Sequence, residues 1–478
     1  MIHICSYTKA IYLTLKVLKH LKMFVSTNPF SQQTISEIPF QSNEMLLSKQ
    51  ILASSTFIIW KNISFEQKII LFKKLAQSLR EKKQEIAHMM TEEMGKTISE
   101  SVNEIEKCAW TIDWYCEYGK KLLQDTVAIE SEEEYAYIRF EPLGTVLGIM
   151  PWNFPLWQVF RYAIPTLFAG NVTLLKHAPN VGLSAQCIEN LFLEAGFPAG
   201  VFQCVFASVE DCEKLIASSY IQAVTFTGSS SAGRKIASQA GQSLKKCVLE
   251  LGGSDPFIVL KDADIDLTVK QAIKGRLQNN GQSCIGAKRF IIDETIYDVF
   301  LNKLKDAISQ LVVGDPMLET TNIGPLARPD LKQILKKQVE LSIEAGASLH
   351  YAHPFNDSDS NFFSPIILEN IPLDCPARKE ELFGPVFICF KVNNESEAIQ
   401  IANETAFGLG SSIWTTEIPN AELLARQIQA GSVFINGITK SDARVPFGGI
   451  KDSGYGRELS GFGMHEFTNI KTYFITKS

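Results

Sequence analysis

The sequence contains no CxxC pair, no Cys/His group at zinc-ligand spacing, and only seven histidines in 478 residues. That offers no ligand set for a structural zinc and no thioredoxin-type redox motif, so no metal is expected. Ten cysteines are scattered from Cys5 to Cys389. A disulfide scaffold does not suit a chain this long with a large core, and reduced thiols in a cytosolic protein are the simplest reading. Most of them are expected as small buried apolar residues. No apolar run reaches the ~18 residues of a membrane span. Net charge is −6, which leaves no basic field to attract nucleic acid. A GxGxxG fingerprint, low-complexity tracts and repeats at solenoid periods are absent as well.

What remains is a soluble-type composition, 45% hydrophobic and 21% charged. The length predicts two or three domains. The first 22 residues carry lysines and no acid. They read as an upstream extension, with Met23 the functional start, because domain-like sequence begins only near Asn28-Pro29. From Ser64 to about Lys96 the pattern is helical, with Ser64 and Gln67 at capping-box spacing. From Gly144 short apolar runs ("GTVLGIM", "NVTLLKHAP", "QAVTFTG") alternate with helical stretches. A second series follows, with strand-like "DPFIVL", "KRFIID" and "VFICFKV" around amphipathic "YDVFLNKLKDAISQL". Both series predict open, mostly parallel α/β sheets. The polar stretch from His353 to Asn361 reads as an exposed loop.

Five short stretches carry chemistry. In "TFTGSSSAG", Gly228 ends a strand and Ser229 can open a helix, a junction that can cradle a phosphate. In "LELGGSDP", Glu250 ends a strand before Gly252 and Gly253, which leave the carboxylate room to swing as a general base. In "NNGQSCIGAKR", Cys284 lies between Gly281 and Gly286 with side-chain amides around it. It can be a nucleophile or one more core cysteine. Asn153, in the "PWNFP" turn, can offer an amide N–H to an oxyanion or simply close an Asx turn. Glu381, in "EELFGPV", can bind a ribose diol or sit in a plain turn.

Together and in this order, "PWNFPL", "TFTGS", "LELGG", "GQSC", "EELFGPV" and "PFGGIKDSGYGRE" resemble the aldehyde dehydrogenase superfamily from about residue 28 onward. "IMPWNFPLWQVFR", "LLKHAPN", "KKCVLELGGSDPFIVL" and "VFING…SDARVPFGGIK" are most similar to the bacterial short succinate semialdehyde dehydrogenases. The resemblance implies a Rossmann-like cofactor domain over 24–119 and 140–252, and an α/β catalytic domain over 253–445. It further implies a small β oligomerisation arm from 120–139 and 463–478, with 1–23 outside as the extension.

By the same resemblance, Cys284 is the nucleophile, Glu250 the base and Asn153 an oxyanion donor. Trp152, Asn153, Lys176, Pro179, Gly228, Ser229, Leu251, Glu381 and Phe383 fall at positions that hold NAD or NADP. Relatives selective for NAD often carry a glutamate where this chain has Pro179, so NADP is permitted. Arg161, Gln278, Ser441, Phe154 and Phe447 fall at substrate positions. A cation at Arg161 suits a carboxylate at the far end of a short aldehyde. Gln278 replaces an arginine found in one branch of the succinate semialdehyde enzymes. The expectation is oxidation of succinate semialdehyde to succinate by a cytoplasmic homodimer or homotetramer that engages neither nucleic acid nor membrane. The alternatives are an enzyme for another short aldehyde, such as glutarate semialdehyde, a CoA-acylating enzyme, and a non-catalytic binding protein on the same scaffold. Glu250 argues against CoA chemistry, and the intact Cys284, Glu250 and Asn153 argue against a silent scaffold.

Overall fold

The computed structural model describes residues 23–355 and 360–477. The expected extension at 1–22 and the centre of the expected loop at 353–361 lie outside the described residues.

After a two-stranded antiparallel sheet, Met23–Thr27 with Thr34–Pro39, come four helices: Asn43–Trp60, Phe65–Glu81, Lys83–Met94 and Ile98–Leu122. Ser64 and Gln67 form the reciprocal capping box, which satisfies two backbone N–H groups left over at the helix start. The helical pattern from Ser64 to Lys96 is two helices rather than one. Lys82 leaves helical geometry between them, and Gly95 ends the second in the left-handed region at φ 81.

A six-stranded sheet follows, ordered Gly454–Tyr455, Lys246–Glu250, Ile221–Thr227, Thr145–Ile149, Val172–Lys176, Phe202–Cys204. All pairs are parallel except the one made by the short Gly454–Tyr455 strand. Strands covered on both faces read as continuous apolar runs, which is why "TVLGI" and "VTLL" do not alternate. From Thr145–Ile149 the chain first adds strands on one side, then crosses to Ile221–Thr227 on the other. That reversal opens a crevice at the carboxyl ends of the two adjacent strands. Helix Trp157–Phe168 packs against this sheet and is buried along its whole length.

The second sheet has seven strands, ordered Ser348–Ala352, Ile366–Glu369, Val386–Val392, Ala287–Asp293, Asp255–Val259, Ser412–Trp414, Phe434–Ile435. It is parallel except at the Ser348–Ala352 edge. A separate antiparallel sheet joins Thr126–Glu130, Glu134–Pro142 and Thr468–Thr476. Its second strand runs past residue 139, and helix Ile98–Leu122 runs past residue 120. Ile470, Phe474 and Ile475 are exposed on the C-terminal strand.

Candidate active site

Cys284 sits on the loop between helix Ile265–Leu277 and strand Ala287–Asp293. Asn279, Asn280 and Gly281 all have positive φ, at 57°, 57° and 77°. Asparagines reach that region only under local constraint, and here side-chain bonds supply it. Asn280 Nδ2 donates to the carbonyls of Gly95 (2.8 Å) and Pro325 (3.0 Å), and its Oδ1 accepts from Gly324 N–H. Asn279 Nδ2 donates to the carbonyls of Asn153 (2.6 Å) and Gln282 (3.1 Å). Asn153 Nδ2 donates to the Gln282 carbonyl at 3.0 Å. The turn bearing Asn153 and the loop bearing Cys284 are thus stitched together. Lys288, fully buried, donates to the carbonyls of Ser283 and Cys284 at 2.9 and 2.8 Å.

The double glycine serves a different purpose from the one its sequence predicts. A Cβ at Gly253 would fall 2.5 Å from the Cys284 carbonyl oxygen, and one at Gly252 would fall 2.6 Å from Glu381 Oε2. Both glycines let other parts of the site approach; neither frees Glu250 to swing. Glu381 accepts from Gly253 N–H at 3.0 Å and lies 3.3 Å from Lys288 Nζ.

Glu250 is 1% exposed at the end of its strand. Neither carboxylate oxygen makes a well-formed hydrogen bond among the described residues, and the Gly449 N–H is the backbone donor acting on it. Burial pushes its pKa up to about 8, opposed first by the Arg161 charge and reinforced by Glu458. Arg161 Nη2 stands 4.0 Å from Glu250, its Nε donates to Glu458, and its guanidinium lies over the Phe447 ring, 4.6 Å from the centroid. Burial likewise lifts the Cys284 thiol up to about 12, with Arg161 and Lys288 pulling it back. A group raised that far attacks only if a neighbouring base removes its proton.

The crevice beyond the sheet's reversal point fits a dinucleotide. Trp152 and Asn153 follow strand Thr145–Ile149, and Gly228 and Ser229 follow strand Ile221–Thr227. Ser229 caps helix Ser230–Gln242 by accepting from Ala232 N–H, and Gly233 closes that helix onto Leu251, leaving no room for a Cβ. Lys176, at the end of the next strand, is largely buried with its pKa lowered by desolvation, and no carboxylate of the described residues pairs with it. A cation without a carboxylate partner suits phosphate and ribose oxygens. Trp152 meets Phe383 edge-on at 6.0 Å, and Pro179 opens a short 3-10 turn without bringing an acid.

A cavity of about 1210 Å³ approaches Cys284 from the other side. Its wall includes Phe154, Arg161, Gln278, Ser283, Cys284 and Ser441. Gln278 Nε2 donates to Ser283 Oγ at 3.2 Å. Phe447 is not in that wall; it is buried beneath the Arg161 guanidinium. Arg161 is not a free cation either, because Glu458 pairs with it and Glu250 lies 4.0 Å from its Nη2. Lys107, Trp157, Lys288 and Glu458 were missed in the sequence. Their signals are a lysine and a tryptophan on helices and two charges inside the stretches "NNGQSCIGAKR" and "PFGGIKDSGYGRE", none of which stands out without the fold.

The cysteine loop, the buried Glu250 carboxylate and the crevice at the strand ends thus meet where the two sheets come together. The aldehyde dehydrogenase family model matches residues 18–473, and the chain belongs to that family. It is 46% identical over 448 residues to a Synechocystis sp. protein named probable succinate-semialdehyde dehydrogenase (NADP(+)), covering 94% of this chain and 98% of the relative. It is 44% identical to the succinate semialdehyde dehydrogenase (NAD(P)+) of Escherichia coli, over 94% and 97%. Among solved structures, the succinic semialdehyde dehydrogenase of Streptococcus pyogenes in complex with NADP+ superposes with a TM-score of 0.92 at 35% identity, covering 95% of this chain and all of that one. The expected family and fold class are therefore borne out.

Proposed function

We propose that this chain oxidises succinate semialdehyde to succinate with NADP or NAD, in a cysteine-linked sequence. The observation that carries the reading is that Cys284 shares one cavity wall with Arg161, Gln278 and Ser441, residues drawn from three separate segments. The names of the relatives support the same substrate. The Cys284 sulfur adds to the aldehyde carbon, and its proton passes to the ionised Glu250. Asn153 Nδ2 and the Cys284 backbone N–H hold the resulting oxyanion. NAD(P), bound by Trp152, Lys176, Ser229 and Glu381, supplies the hydride acceptor. Loss of hydride from the thiohemiacetal carbon leaves a thioester on Cys284. Glu250 first releases the thiol proton to solvent, then takes a proton from water as its oxygen attacks the acyl carbon; the C–S bond breaks, succinate leaves and Glu250 returns the proton to the sulfur, restoring the thiol.

The absence of an acid at Pro179 permits a 2′-phosphate, and the relatives named for NADP support that cofactor. No helix of the described residues is long and apolar enough to cross a membrane. A cytoplasmic homodimer or homotetramer fits the open C-terminal strand with its exposed Ile470, Phe474 and Ile475. The test is the appearance of reduced nicotinamide with succinate semialdehyde and with butanal, each with NAD and NADP. A higher kcat/KM for succinate semialdehyde supports the reading. Equal efficiencies would make the chain a general aliphatic enzyme.

A further inference from the structure

Four cationic groups besides Lys107 line the large cavity, and most are already matched. Arg161 pairs with Glu458 and lies 4.0 Å from Glu250. Arg444 holds Asp442 through two bonds of 2.8 and 2.7 Å, and Lys440 lies 3.9 Å from the same carboxylate. Lys274 is exposed. The carboxylates are matched too. Glu104 accepts from Lys96 and from the N–H groups of Leu156 and Trp157, Glu106 binds Lys83, and Glu100 accepts from Asn279 N–H.

Lys107 is the half-buried exception. Its ammonium sits over the Trp157 ring, 4.0 Å from the centroid, and donates to Ser441 Oγ at 2.9 Å. No carboxylate of the described residues pairs with it. Ser441 Oγ also accepts from Trp157 Nε1 at 2.8 Å. With both acceptor positions used, its own hydrogen has no acceptor among the described residues. The cluster therefore presents a cation with spare N–H donors beside an O–H donor, in the same cavity as Cys284. A carboxylate accepts from such a set through both oxygens.

We infer that Lys107 joins Ser441, which the resemblance already places at a substrate position, as the receptor for the distal carboxylate of the aldehyde substrate, with Arg161 held by Glu458. This assignment rests on the semialdehyde reading and names the residues that give it its selectivity. Burial, with the Arg161 charge added, lowers the Lys107 pKa to about 8, so the cation gains from an incoming anion. Trp157 sets the receptor's position, since it lies under the ammonium and also donates to the serine.

The test compares succinate semialdehyde, glutarate semialdehyde and butanal on single preparations of wild type, Lys107→Met, Lys107→Arg and Ser441→Ala. The ratio of kcat/KM for the preferred carboxylated aldehyde to that for butanal is independent of the active fraction. Lys107→Met should lower this ratio by roughly 10- to 100-fold, the range of a lost charge-assisted hydrogen bond, chiefly through KM. Lys107→Arg should keep most of the ratio and Ser441→Ala should lose part of it. Should Lys107→Met be inactive on every substrate, the other two variants decide by the same ratios. A ratio held within about two-fold in Lys107→Met, or in Ser441→Ala where that variant decides, overturns the assignment. If wild type prefers glutarate semialdehyde and Lys107→Met loses that preference, the receptor stands and the succinate reading falls. If wild type prefers succinate semialdehyde and the variants keep that preference, the reading stands and the receptor falls. No preference for either carboxylated aldehyde overturns both.

Discussion

At the residue scale, Cys284 and Glu250 share one problem, because each is buried where its reactive, ionised form is costly. The thiol at about 12 cannot ionise alone near neutrality, and the carboxylic acid at about 8 is mostly protonated there. Because the Glu250 pKa is raised, its basic form accumulates as pH rises. Steady turnover should therefore climb through about pH 8. Arg161 and Arg457 oppose the shift, and Glu458 adds to it. Glu250→Gln should abolish that pH dependence along with most steady turnover. A steady-state rate in Glu250→Gln that keeps the wild-type profile would remove Glu250 from the mechanism. Cys284, Glu250 and Asn153 stood out in sequence only as candidates, each with a plain structural alternative, and it was the order of the motifs, through the resemblance, that singled them out. Lys107 did not stand out, since a lysine on an amphipathic helix looks like solvated surface. Arg161 was half legible. Its place in the wall could be expected from the resemblance, but Glu458, nearly 300 positions away, could not be paired with it.

At the scale of elements, the Cys284 loop is held in a left-handed run by amide side chains and by backbone that passes too close for a Cβ. Gly281 has positive φ, and a Cβ there would fall 2.5 Å from the Gly384 carbonyl carbon. Gly253 faces the Cys284 carbonyl at a similar distance without positive φ, so the effect of filling it is purely steric. Gly253→Ala should displace the cysteine loop, lowering stability by about 1–3 kcal/mol, the usual range for overpacking, and lowering activity with it. Denaturant unfolding beside an activity assay checks this; wild-type values in both would show that the loop yields. The long central strands of both sheets were legible from apolar run length, while short or edge strands such as Phe202–Cys204, Ser348–Ala352 and Ser412–Trp414 were not. The glycine pattern in "LELGG" was visible too, but its cause was not, because the atoms that need the space come from residues 284 and 381. The break at Lys82 was hidden because apolar periodicity continues across it.

At the scale of the whole molecule, the site exists only where two sheets and the N-terminal helices meet. Glu250 ends the last long strand of one sheet, Cys284 precedes a strand of the other, and Lys107 comes from helix Ile98–Leu122. The α/β class was readable from alternation, but the strand orders of the two large sheets were not, since pairings such as Asp255–Val259 with Ser412–Trp414 join segments more than 150 residues apart. The central claim is that Cys284 carries the acyl group between hydride loss and hydrolysis by Glu250-activated water. The most direct measurement mixes Glu250→Gln with succinate semialdehyde and NADP or NAD, records the first turnover of reduced nicotinamide, and maps the quenched protein by peptide mass spectrometry. The account predicts a burst of about one reduced nicotinamide per active site and a succinyl thioester on the peptide containing Cys284. Full first-turnover reduction with that peptide unmodified, or with the acyl group on another cysteine, would contradict it.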